Sequence, residues 1–195
     1  TTRDTLSLHD ALPIFGDDAD VDIVAGCGIH NDGIHLSQHD GVHTFHVGKN
    51  AKVRYVEKHY GSGDGSGERI MNPVTEISLD EDSFMEMETV QIRGVDSTKR
   101  ENRAHLKAGA KLVVMERLMT HGKQKAESWF DVQLDGEDSS ANIVSRSVAR
   151  DESWQLFQSH ISGNTRCSGH TECDAIIMEN AKIRPVIRRA GRCPV

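Results

Sequence analysis

Along much of this chain polar and apolar residues alternate with a period of two. Over residues 51–60, Val53, Tyr55 and Glu57 share one face while Arg54, Val56 and Lys58 share the other. Phe84, Glu86, Glu88 and Val90 alternate with Met85, Met87 and Thr89. Thr171, Cys173, Ala175 and Ile177 alternate with Glu172, Asp174, Ile176 and Met178. A period of two puts successive side chains on opposite faces of a pleated strand. Further short strands are predicted over 128–134 and 153–160, with turns at Gly122, at Asp135 and Gly136, and at Ser162, Gly163 and Asn164.

How these strands pair follows from what joins them. Ala51, Ala110, Ala141 and Ala181 each open a small, polar, aliphatic triplet, at unequal spacings rather than as a strict repeat. No Asn-Gly hairpin turn separates the strands. Short, near-evenly spaced strands of this kind predict an all-β fold, a parallel β-solenoid whose coils bury aliphatic ladders against one another. Residues 108–183 are expected to be stacked parallel strands with Cys173, Ala175 and Ile177 facing inward.

Composition agrees and narrows the function. A chain of 195 residues can bury one real core but not comfortably two. Aromatics at 5% and 17 glycines disfavour a helical bundle. A net charge of −7 and a pI near 5.8 argue against a nucleic-acid-binding surface. No apolar run approaches the roughly 18 residues of a membrane span, and residues 1–14 lack the basic start and apolar core of a secretory signal. The four cysteines (Cys27, Cys167, Cys173 and Cys193) are too unevenly spaced to suggest a disulfide framework. A reducing, cytoplasmic setting is expected.

Several stretches invite chemistry that their context argues against. Residues 17–47 hold His30, His35, His39, His43 and His46, but the glycines among them disfavour a helix, and strands and turns would scatter the rings. Solvated or hydrogen-bonded histidines are expected there. The carboxylates of residues 76–91 read as a solvated face. The glycine-rich run from Gly61 to Gly67 matches neither phosphate-binding pattern and reads as a flexible connector. Residues 98–110 read as a surface strand or coil.

The stretch from Cys167 to Cys173, with His170 midway, carries the strongest candidate chemistry. If it is extended, the two cysteines share a face roughly 20 Å apart and His170 points the other way. One metal takes all three only if the chain turns at Ser168 and Gly169. Cys173 itself reads either as a small buried hydrophobe or as a thiolate that holds iron or accepts sulfur.

The string Arg166–Met178 resembles the core of the SufB/SufD family of iron–sulfur cluster assembly scaffolds. Residues 56–60, 72–77, 90–98 and 145–149 resemble its short single-gene members, and the resemblance runs from about Gly16 to about Arg184. It implies a right-handed parallel β-helix over 16–184, a SufBD-type core that is incomplete. Residues 1–14 match nothing in the family and read like translated sequencing-adaptor DNA, a non-native segment expected to pack against nothing. Residues 185–195, basic and Pro-ended, read as an aberrant or truncated tail.

The run Thr171-Glu172-Cys173-Asp174 resembles the SufB-type chains, which keep this cysteine where many SufD-type chains have lost it. The resemblance implies a scaffold, not an enzyme, with Cys173 as cluster ligand or sulfur acceptor; the further ligands are expected from Cys167 or His170, from the segment missing after Arg184, or from a second subunit. It also implies a transient iron–sulfur cluster of undefined type and a SufC-like ABC ATPase that hydrolyses ATP in its place. A SufD-like paralogue or a second copy, a sulfur donor and apo-protein acceptors complete the expected partners. Two other readings remain open: a His-rich divalent-metal binder or cupin-like metalloenzyme, and a structural SufD-like partner that holds no cluster.

Overall fold

The computed structural model describes residues 5–191. One sheet contains β1 (Thr5–Ala11), β2 (Ile14–Phe15), β4 (Ser37–Val47), β6 (Arg69–Leu79), β8 (Ser97–Leu106), β10 (Lys125–Leu134), β12 (Trp154–Gly163) and β14 (Lys182–Gly191). The other contains β3 (Asp20–His30), β5 (Lys52–Ser62), β7 (Phe84–Gln91), β9 (Lys111–Thr120), β11 (Ser139–Ala149) and β13 (Cys167–Ile177). Every pairing is parallel. From β2 onward the chain alternates between the sheets, and it returns beside its earlier position after 27–32 residues. The result is a β-solenoid, with no helix among the described residues.

The corners explain the periodic small residues. Asp18, Asn50, Asp82 and Asp138 adopt left-handed backbone, with φ between 55° and 59°, and Gly109 does so at 68°. Asn and Asp tolerate this region because their short side chains bond locally, and Gly because it has no Cβ. A small residue follows each of them. The amides of Ala19, Ala51, Ser83, Ala110 and Ser139 donate to the carbonyls of Gly16, Gly48, Asp80, Lys107 and Gly136 at 3.2–3.3 Å. Ala51, Ala110 and Ala181 thus each directly precede a strand, whereas Ala141 lies inside β11.

Between the sheets the inward residues stack in columns at about 4.8 Å per strand. Val53, Met85, Leu112 and Ala141 form one column, and Tyr55, Met87, Val114 and Ile143 the next. Phe45, Ile77, Ala104, Val132 and Ile161 answer from the facing sheet. All belong to one buried apolar cluster.

Four expectations need correction. Residues 98–110 are not a surface strand: β8 turns Arg100, Asn102, Ala104 and Leu106 inward, because Arg100 and Asn102 find partners inside in Glu116 and the Trp129 carbonyl. The run Gly61–Gly67 is not a loose connector, since the amides of Gly65 and Gly67 donate to the carbonyls of Asn31 and Gly33 at 2.9 and 3.0 Å. Ala175 and Ile177 are exposed, as β13 ends its sheet and no further described coil covers them. A cupin-like architecture is excluded, because jelly rolls are antiparallel.

The first and last described strands also join the sheets. Thr5–Ala11, within the segment expected to pack against nothing, forms β1 and pairs with β4. Part of the tail does likewise, Pro185 to Gly191 pairing in register with Phe157 to Gly163 of β12. Cys193 lies outside the described residues.

The corner geometry sets a test. Asn50→Val, which places a β-branched residue at positive φ, is expected to lower unfolding free energy by about 1–2 kcal/mol. Asn50→Gly should stay within about 0.5 kcal/mol of the parent. Urea denaturation of the two variants measures the difference.

Candidate functional site

One inward column breaks the apolar rule. Ala25, Glu57, Thr89, Glu116, Ser145 and Cys173 stack in register from β3 to β13. Glu57 and Glu116 are each 1% exposed and Thr89 is fully buried. A carboxylate in such surroundings is tolerated only with partners supplied inside the solenoid. The facing strands supply them.

Near the middle of the column Arg100 reaches across from β8. Its Nη1 donates to Glu116 Oε1 at 3.0 Å and its Nη2 to Gln91 Oε1 at 3.5 Å. The hydroxyls of Ser128 and Ser145 also donate to Glu116, Ser145 to Oε2 at 2.7 Å. Arg100 Nη2 lies 2.6 Å from Nδ1 of His59. A guanidinium only donates, so Nδ1 accepts and His59 is neutral with its proton on Nε2. Burial pushes the same way, holding the His59 pKa below its ordinary value.

At the β3 end three groups converge on Glu57 Oε1. His43 Nδ1 and His59 Nε2 each lie 3.2 Å away, and the Cys27 sulfur 3.7 Å away. Burial works to raise the Glu57 pKa, but the neighbouring His43 and His59 outweigh it and hold the carboxyl well below its usual range. Burial, reinforced by the Glu57 charge, pushes the Cys27 thiol up to about 11.

At the other end stands Cys173, a free, half-buried thiol. Its column neighbour is Ser145. Beyond it Asp174 to Ile177 are exposed, so the sulfur sits where the interior of the solenoid opens. Burial raises its pKa, with the negative charges of Glu116 and Asp174 adding to the effect. An apo thiol so placed is mostly protonated near neutral pH and becomes a good nucleophile or ligand only when a cation offsets those charges.

The three residues singled out in the sequence are not brought together. β13 runs unbroken through Ser168 and Gly169, so the turn needed for a shared metal is absent. Cys167 is 5% exposed, lies in the apolar core and is not free. His170 is on the opposite, outer face, 3.4 Å from Glu172. Of the five clustered histidines His43 enters the buried network, whereas His30 is exposed and pairs with Asp32 at 2.7 Å. Sequence reasoning missed Cys27, Glu57, His59, Arg100 and Glu116 as one system. The signal was present in part, since Glu57 shares a face with Val53 and Tyr55.

The family pattern for the SUF system FeS cluster assembly SufBD core domain matches residues 1–183. The chain belongs to the SufBD family. An iron–sulfur cluster assembly SufBD family protein of Methanothermobacter thermautotrophicus (strain Winter) is 26% identical over 169 residues, 84% of this chain and 39% of that protein. One from Methanocaldococcus jannaschii is 28% identical over 142 residues, 72% of this chain and 44% of that protein. The chain therefore spans less than half the length of these curated relatives. SufBD membership ties the chain to iron–sulfur cluster assembly. No described helix is long and apolar enough to cross a membrane.

Two expected outcomes follow from the column. Arg100→Met or Glu116→Leu alone strands a buried charge and should cost about 3–5 kcal/mol. The double variant should recover much of that loss, which a urea-denaturation cycle measures. Separately, Asp174→Asn should lower the Cys173 pKa, so its alkylation by iodoacetamide should accelerate at a lower pH than in the parent. Rate–pH profiles followed by mass spectrometry of the Cys173 peptide decide this.

Proposed function

We propose that this chain is a SufB-like scaffold subunit on which iron–sulfur clusters are assembled and then passed on, and that Cys173 is its cluster ligand or sulfur acceptor. The observation that carries the reading is a free thiol at the open end of β13, in the Thr171-Glu172-Cys173-Asp174 context, backed by a buried polar column. Iron prefers soft anionic sulfur, and incoming Fe²⁺ would offset the charges of Glu116 and Asp174 that otherwise keep the thiol protonated.

A cluster takes about four ligands, and neither Cys167 nor His170 shares a centre with Cys173. The remaining ligands are assigned to residues outside this sequence or to a second chain, a SufD-like paralogue or another copy, brought against the open end. The cluster is cargo, loaded from a sulfur donor and delivered to apo-proteins in the cytoplasm. Conformational work is assigned to a SufC-like ABC ATPase, since no phosphate-binding loop occurs in this chain.

Anaerobic reconstitution with Fe²⁺ and sulfide tests the proposal. Broad visible absorption should develop in the parent and fall at least tenfold in Cys173→Ala, with Cys27→Ser retaining it. No cluster in the parent would return the chain to the structural, cluster-free role, and equal cluster content in the parent and Cys173→Ala would remove Cys173 as its ligand.

A further inference from the structure

The β3 end of the polar column holds a second constellation, built independently of Cys173. Cys27 and His59 are direct register partners on β3 and β5, and Glu57 lies two residues before His59 on the same face. Their donor atoms, one sulfur, one nitrogen and one oxygen, all lie within 4.8 Å of one another. Glu57 is 1% exposed and His59 3%. Above them Ile29, Met71 and Val95 form a small apolar cluster against which Cys27 packs.

One atom there lacks the partner its burial demands. His59 Nε2 is fully enclosed and, although 3.2 Å from Glu57 Oε1, lacks the alignment of a hydrogen bond. A buried polar group left in this state costs about 1–3 kcal/mol. A cation seated between Nε2, Oε1 and the sulfur would satisfy it.

The spacing suits such an ion. Tetrahedral bonds of about 2.0–2.3 Å separate neighbouring ligand atoms by about 3.3–3.8 Å. The contacts present are 3.7 Å from sulfur to Oε1 and 3.2 Å from Nε2 to Oε1. Thiolate with imidazole selects a first-row transition ion such as Zn²⁺ or Fe²⁺ over Ca²⁺ or Mg²⁺.

We infer that Cys27, Glu57 and His59 form a binding site for one divalent transition-metal ion, with a fourth coordination position open. His43 Nδ1, 3.2 Å from the same carboxylate oxygen, orients Glu57 from the facing sheet. Binding releases the Cys27 thiol proton, and the His59 proton moves from Nε2 to Nδ1. Arg100 Nη2 then withdraws from Nδ1, keeping Glu116 through Nη1, and Gln91 Oε1 is the neighbouring acceptor for the new N–H. Cys27, half-buried on the edge strand β3, is the way in.

Anaerobic Co²⁺ titration of the whole chain, without sulfide, tests the inference. One equivalent should bind with a near-ultraviolet thiolate-to-cobalt band and visible bands of tetrahedral type. Both should vanish in Cys27→Ser, weaken at least tenfold in Glu57→Gln, and persist in Cys173→Ser, with far-ultraviolet circular dichroism verifying that each variant folds. A measurement on the unmodified chain removes dependence on the variants: Zn²⁺ should slow alkylation of Cys27 at least tenfold while leaving Cys173 unaffected. A thiolate band that survives in Cys27→Ser, a band lost only in Cys173→Ser, unchanged Cys27 alkylation, or no binding would each overturn it. Because sulfide is absent and Cys173 dispensable, the outcome is separable from that of the scaffold reading.

Discussion

Parallel register between successive coils constrains everything else in this molecule. Each inward residue must lie against its counterpart 27–32 residues away, at a strand spacing of about 4.8 Å. Like then stacks on like, and a column tolerates only residues compatible with their neighbours above and below. Val53, Met85, Leu112 and Ala141 satisfy this by dispersion and exclusion of water. The corners keep the register, because a left-handed Asn, Asp or Gly followed by a small residue lets consecutive turns nest.

The same constraint makes the polar column costly and therefore informative. Glu57, Thr89, Glu116 and Ser145 stand where aliphatic residues would pack, and the two carboxylates draw on Arg100, His43 and Ser128 from the facing sheet. A solenoid selected only for stability would fill these positions with Val or Ile, since buried ion pairs often contribute less than apolar isosteres. The line of charged groups instead runs between two free thiols, Cys27 beside its β3 end and Cys173 at its β13 end.

The two thiols differ in what surrounds them. Cys27 is flanked by a carboxylate and an imidazole, so three donor atoms lie within 4.8 Å of one another inside one chain. Cys173 stands beside hydroxyls and an open sheet end, and its immediate neighbours cannot satisfy a cluster.

The period-two patterns of residues 51–60, 84–90 and 171–178, with the absence of hairpin turns, determined the strands and their parallel stacking, because alternation is a local property of a pleated backbone. The same local rule put Glu57 beside Val53 and Tyr55. It failed for residues 98–110, where Arg100 and Asn102 enter the core only because Glu116 and the Trp129 carbonyl await them on other coils. It also left open the chain at Ser168 and Gly169, which pairing of β13 with β11 holds straight, separating Cys167, His170 and Cys173. Ala175 and Ile177 have the right parity to be buried, yet remain exposed because burial depends on the next coil and not on the strand itself. The meeting of Cys27, Glu57 and His59 was decided by tertiary structure alone: a 32-residue return of the chain sets β3 against β5 and brings Cys27 beside His59.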